Sequence, residues 1–400
     1  MLAKRMERVK PSPTLAVSAR AKEMAAKGID VVNFSVGEPD FPTPTSVKDA
    51  GIRAIQEDFT HYTMAAGIPE LREAICEKLL RDNGLAYKPS EVLVSTGAKQ
   101  SLYNLSVALF EPGDEVLIPS PCWVSYEPQV VLAGANAVLI EAPAETGFRV
   151  SPKQIEQAIT PKTKAIILNS PSNPTGGVYA RQDLEALSAV LKRHGVLVIA
   201  DEIYEKLVYD GFTFTSFPTV DAHWKEHCVV INGVSKSHAM TGWRIGYAAG
   251  PAEIIAAAGK IQGHSTSNPN SIAQKAALEA ITGPQDAVET MRRAFEERRN
   301  LMLSLMEGIP KVTCSKPQGA FYLFPDWSHY IGRRAGGHQL RTCVDLASYL
   351  LEDAHVAVVP GSGFGTTRGF LRFSYASSPE RIREGMQRVR EAAALVTSSG

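Results

Sequence analysis

Short aliphatic runs recur through the first two thirds of the chain, most of them followed by a turn and a stretch with helical spacing. EVLVS at 91–95, EVLIP at 115–119, AVLIE at 137–141, KAIILN at 164–169, VLVIA at 196–200 and VVING at 229–233 lack strict apolar–polar alternation. Runs of this kind predict strands covered on both faces, and so a mostly parallel sheet between helical layers. Helical spacing predicts helices at 46–58, 69–83, 152–159 and 181–193, the second capped at Asn83-Gly84. The pattern assigns 46–285 to a large α/β domain. A long charged helix at about 284–307 follows, then SKPQGAFYLF at 315–324, a helix at 341–353, a strand VAVVP at 356–360, FLRFSYA at 370–376 and a last helix at 379–396. This tail, 286–400, predicts a smaller α+β domain, with the arm 1–45 packed against it.

Composition narrows the partners. The 400 residues carry 42 basic and 42 acidic side chains, and 44% are hydrophobic. A balanced charge offers no field to gather a polyanion, which argues against nucleic acid. The start, MLAKRMERVKPSPT, has positive charge but no apolar stretch after it, unlike a secretory signal. No run approaches the roughly eighteen apolar residues of a membrane-spanning helix. Five scattered cysteines with no CxxC pair read as reduced thiols, so a cytoplasmic protein without a metal site or membrane anchor is expected.

Ligands of open α/β sheets bind beyond the carboxyl ends of the strands. Four polar clusters fall there: Thr96-Gly97-Ala98-Lys99, Asn169 to Asn173, Asp201 to Tyr204, and Ser235-Lys236. Gly97 follows a strand and opens a helix, so its turn is either a plain connection or a phosphate cradle of backbone N–H groups. Neither GxGxxG nor GxxxxGK[ST] occurs. Asp201 ends an apolar strand and either caps a following helix or holds a heterocyclic N–H⁺. Tyr204, three residues on, can reach the same ligand. Lys236 is a solvated cation or an amine of depressed pKa able to form a Schiff base, with Arg244 eight residues later as a phosphate partner. Arg372, inside FLRFSYA, is an edge residue with a wet side chain or a fork for a carboxylate. Trp123 is a core aromatic or a plate for a ring.

Together these segments resemble the fold-type I enzymes dependent on pyridoxal 5'-phosphate (PLP), and among them the class I aminotransferases of the bacterial aspartate and aspartate/prephenate branch. The matching pieces are VGEPDFPTP at 36–44, HYTMAAGIPELREAI at 61–75, STGAKQ at 95–100, SPCWVSY at 120–126, NSPSNPTGG at 169–177 and DEIYEKLVY at 201–209. They continue with SKSHAMTGWRIGY at 235–247, PQGAFYLF at 317–324, AVVPGSGFG at 357–365 and LRFSYA at 371–376. Each motif is modest alone; the combination, spread from about residue 10 to 398, is specific.

The resemblance implies an aspartate aminotransferase-like fold and a ping-pong transamination, with aspartate as donor and 2-oxoglutarate as acceptor. It makes Lys236 the Schiff-base residue and proton shuttle, and Asp201 the partner of the pyridine nitrogen. Tyr204 and Asn173 bond the cofactor's 3-oxygen, and Trp123 stacks on its ring. The phosphate falls to Gly97, Ala98, Lys99, Ser235 and Arg244, with Tyr62 reaching the site of a second subunit in a homodimer. Arg372, assisted by the backbone at Gly37, clamps the substrate's α-carboxylate; Lys99 and Lys10 serve its far end. Cys122 and His264 depart from the family pattern and put the acceptor range in question. A broader aspartate/prephenate, aromatic or alanine aminotransferase, or a PLP-dependent carbon–sulfur lyase, fits the same residues. A non-catalytic binding module requires loss of Lys236, Asp201 or Arg372, and all three are present.

Overall fold

The structure is a computed structural model and describes residues 2–9, 11 and 13–397. The aliphatic runs form β1 (Val92–Ser95), β2 (Glu115–Ser120), β3 (Asn136–Glu141), β4 (Thr163–Asn169), β5 (Leu197–Asp201) and β6 (Cys228–Gly233). A seventh strand, β7 (Gly246–Ala249), joins them in the order β1-β7-β6-β5-β4-β2-β3. From β6 to β3 every pairing is parallel, while β7 runs antiparallel to both of its neighbours. The central strands are buried along nearly their whole length, as expected for Val- and Ile-rich segments with helices on both sides.

Register sets the level of the functional residues. Asn169 lies opposite Asp201, and Asp201 opposite Ile231, two residues before β6 ends. Gly246 pairs with both Ser95 and Gly233. The ends of β1, β4, β5 and β6 and the start of β7 therefore share one edge of the sheet.

The chain leaves the large sheet through the helix Asp286–Glu307. A second sheet contains β8 (Tyr322–Leu323), β9 (Val359–Pro360) and β10 (Leu371–Ser374), with β10 in the middle. The single strand expected at 356–360 is split. Val356–Ala357 pairs instead with Val32–Asn33 near the N-terminus, and Ala21 and Met24 of the helix Pro13–Ala26 share a small core with Leu351 and Ala357. These contacts carry residues 35–38 over the edge of the large sheet, where Ser35, Gly37 and Glu38 meet the strand-end residues in one cavity.

Candidate active site

The cavity is about 380 Å³. Its floor is the carboxyl edge of the large sheet and its far wall includes Tyr322 and Arg372. Lys236, three residues past β6, is half-buried within it and donates from Nζ to the Gly37 carbonyl at 2.6 Å. Burial holds its ammonium down to about 8, against the pull of Glu38 in the other direction. Arg372 and Arg244 add to the depression. The solvated-cation alternative for Lys236 is thereby excluded.

Asp201, only 4% exposed, accepts the Tyr126 hydroxyl at Oδ2 (2.6 Å) and the Ile203 N–H at Oδ1 (3.3 Å). Burial pushes its carboxyl up to about 6, with both hydrogen bonds and Lys236 opposing. No helix follows it: residues 203–206 form turns, so the N-cap alternative fails. Tyr204 comes from this turn and its hydroxyl shares a 2.9 Å hydrogen bond with Tyr322. Trp123 lines the cavity, its edge against the Tyr126 ring at 5.3 Å, and Lys99 lies 4.9 Å from the indole centroid. Burial and Arg244 both lower the Lys99 pKa.

Gly97 has φ +81° and caps the helix Ala98–Leu109. A Cβ there would lie 2.5 Å from Arg244 Nη2, so the guanidinium sits directly against the Gly97 backbone. At Gly246 a Cβ would lie 2.2 Å from the Ala98 nitrogen. This absence of side chains lets β7 pass beneath the turn. We expect Gly246→Ala to cost about 1–3 kcal/mol of stability, read as a lower denaturant midpoint; an unchanged midpoint would refute the close approach. Ala98, Lys99, Ser235 and Arg244 border the cavity together at the start of this helix, where the sequence allows either a plain connection or an anion cradle.

Arg372 is 2% exposed, on the central strand of its sheet, which excludes the wet edge position. It donates from Nη1 to Asn173 Oδ1 at 2.9 Å and from Nη2 to the Ser35 carbonyl at 2.7 Å. Its Nε has no partner among the described residues, and its Cζ lies 4.4 Å from the Tyr322 ring centroid. Burial lowers its pKa.

Two of the expected residues stand apart. Tyr62 is 90% exposed and outside the cavity, and Lys10 lies outside the described residues. Cys122 is buried in the core behind the cavity wall, and His264 is exposed on the helix Ala252–Ser265, so neither lines the cavity of its own chain. Tyr126, Tyr322 and Ser35 were assigned no role from the sequence, yet they hold Asp201, Tyr204 and Arg372.

A half-buried amine, a buried acid and an arginine without an anionic partner among the described residues suit amino-acid chemistry, and comparison with known proteins decides it. The family model for aminotransferase class I and II matches residues 29–389. The chain belongs to this family. The aminotransferase is 51% identical to an aspartate aminotransferase of Geobacillus stearothermophilus over 97% of this chain and 98% of that protein. It is 52% identical to an aspartate/prephenate aminotransferase of Cereibacter sphaeroides, over 96% of each. Among solved structures, the aspartate aminotransferase of Rhizobium meliloti superposes with a TM-score of 0.95 at 44% identity, covering 99% of this chain and 100% of that one. That of Thermus thermophilus with maleate gives 0.92 at 44% identity, over 98% and 99%. The aminotransferase has the fold-type I architecture, and the reaction it catalyses is transamination. Enzymes of this fold use PLP.

Proposed function

We propose that this aminotransferase moves the amino group of aspartate to 2-oxoglutarate, using PLP bound at Lys236. The observation that carries the substrate assignment is Arg372: a buried guanidinium whose two partners are neutral oxygens and whose Nε is free among the described residues. A buried cation without an anion costs several kcal/mol, and a substrate α-carboxylate is the anion that fits its fork. Lys99 beside Trp123 supplies a second cation in the same cavity, suited to a dicarboxylate, and the Thermus relative was solved with maleate, itself a dicarboxylate.

The residues fit the cofactor. The Gly97-Ala98-Lys99 turn, Ser235 and Arg244 offer N–H, hydroxyl and guanidinium donors to a phosphate, and a Cβ at Gly97 would fill that cradle. Asp201 is a buried carboxylate suited to a protonated ring nitrogen, Trp123 a flat wall, and Tyr204 and Asn173 the donors for the 3-oxygen. When bound, PLP supplies the electron sink that makes the substrate's Cα–H acidic. Lys236, as the free amine, would take that proton and, as the ammonium, would be the acid that returns it across the C–N linkage. Asp201 keeps the ring nitrogen charged, and Arg372 with the Gly37 backbone fixes the substrate's orientation. The two half-reactions make the kinetics ping-pong.

The same proposal has a homodimer in which the exposed Tyr62 contributes to the neighbouring subunit's phosphate site, and Lys10 adds to recognition of the far carboxylate. It also places the protein in the cytoplasm, in keeping with five free cysteines. Prephenate is a second acceptor on this reading, supported by the 52% identical aspartate/prephenate relative. A panel of amino donors against 2-oxoglutarate, oxaloacetate and prephenate, read by product mass, tests the assignment. Pyruvate and ammonia from a single substrate would mean elimination instead. For Arg372→Leu we expect kcat/KM for aspartate to fall about 10²-fold or more, mostly through KM. An unchanged aspartate dependence would remove Arg372 from the clamp.

A further inference from the structure

Tyr126 has no part in the chemistry described so far, yet its hydroxyl makes the shortest contact to Asp201, 2.6 Å to Oδ2, with both residues buried. The two lie 75 positions apart and on different elements: Tyr126 opens the helix Tyr126–Leu132, and Asp201 ends β5. The groups that face Asp201 are few. Lys236 bears on it from the β6 turn, Tyr204 from its own turn, and Cys122 lies beyond Tyr126. Of these, Tyr126 alone donates a side-chain hydrogen bond to the carboxylate; the other donor is the Ile203 N–H at the longer 3.3 Å.

We propose that Tyr126 is a positioning residue that holds Asp201 as an oriented carboxylate, with Oδ2 engaged and Oδ1 left as the oxygen with capacity for a ring N–H⁺. This deepens the PLP assignment and rests on it for the ring nitrogen, although the Tyr126–Asp201 contact does not. The physical case is direct. A carboxylate in a low-dielectric site reverts to the neutral acid unless donors stabilise its charge, and a hydrogen bond to an ionised acceptor is the strong kind. Burial alone drives Asp201 upward, and the Tyr126 hydrogen bond is the largest opposing influence. The tyrosine cannot take over the charge, because burial and the neighbouring Asp201 keep its own hydroxyl protonated. The ring has a second role: its packing against Trp123 at an interplanar angle of 79° ties the indole wall to the same side chain that orients the acid.

Tyr126→Phe keeps that ring packing and removes only the hydroxyl. In the full chain freed of cofactor, infrared titration of the carboxyl stretch, with Asp201→Asn to identify the Asp201 band, should show Asp201 titrating about one to two pH units higher in Tyr126→Phe. A shift below a few tenths of a unit would overturn the proposal. The holoenzyme gives an independent cycle: Tyr126→Phe should raise the dissociation constant for PLP about tenfold in the Asp201 parent and leave it unchanged in Asp201→Asn. Equal losses in both backgrounds would mean that the hydroxyl acts by another route, and would also overturn it. If the parent fails to bind PLP, the functional assignment falls, while the infrared shift still decides the Tyr126–Asp201 link.

Discussion

Replacing Lys236 by alanine is expected to reduce turnover by about 10⁴-fold or more and to abolish the visible absorbance of lysine-bound cofactor. The size follows from the two tasks that meet on one atom. Among the described residues Lys236 and Lys99 are the amines that line the cavity, and burial, with Arg372 and Arg244 adding to it, holds Lys236 down to about 8. Relative to an ordinary lysine near 10.4, that leaves roughly two orders of magnitude more neutral amine at pH 7. The sign gives a second observable. The neutral form grows as pH rises through about 8, so the rate at which the cofactor-free chain takes up PLP should climb to that pH and level off above it. Stopped-flow absorbance checks the profile. Transamination by Lys236→Ala at more than a few per cent of the parent rate would sink the assignment. A flat pH profile would instead show that the amine is not depressed. The alanine variant also leaves the Gly37 carbonyl without its 2.6 Å donor.

Much of this arrangement is legible in the chain because the large sheet is written in Val- and Ile-rich runs. Once strands end at Ser95, Asn169, Asp201 and Gly233, the polar residues just beyond them must share an edge, and Lys236, Asp201 and Asn173 do line one cavity. The strand Gly246–Ala249 escaped because GYAA is short and lacks β-branched residues, and its glycine is explained only by the backbone passing over it. The helices Ala252–Ser265 and Ser271–Thr282 are rich in alanine and show weak apolar periodicity. Local pattern also misjudges what tertiary pairing decides. Arg372 alternates like an edge residue, yet strands on both sides bury it. Tyr126 and Tyr322 look like any core tyrosine, because their partners Asp201 and Tyr204 are 75 and 118 positions away. The role proposed for Tyr62 depends on a second chain, which no pattern within one chain can place.

Asp201→Asn is expected to retain PLP and lose about 10³-fold in kcat, the second large effect. Asparagine preserves the shape of the side chain, so the cavity and the β5 end should be little disturbed. What it removes is the negative charge. A ring nitrogen facing a neutral amide has no reason to stay protonated, and the electron sink weakens where it is needed, in the transition state rather than in binding. The loss should therefore appear in kcat and in the exchange of the substrate's Cα proton, with the cofactor's dissociation constant altered far less. Burial pushes the carboxyl up to about 6 in the cofactor-free chain, and a facing ring N–H⁺ would hold it ionised, so the substitution removes a charge that bound PLP itself would stabilise. Proton exchange within a few-fold of the parent would show that the charge on Asp201 is not what drives the reaction.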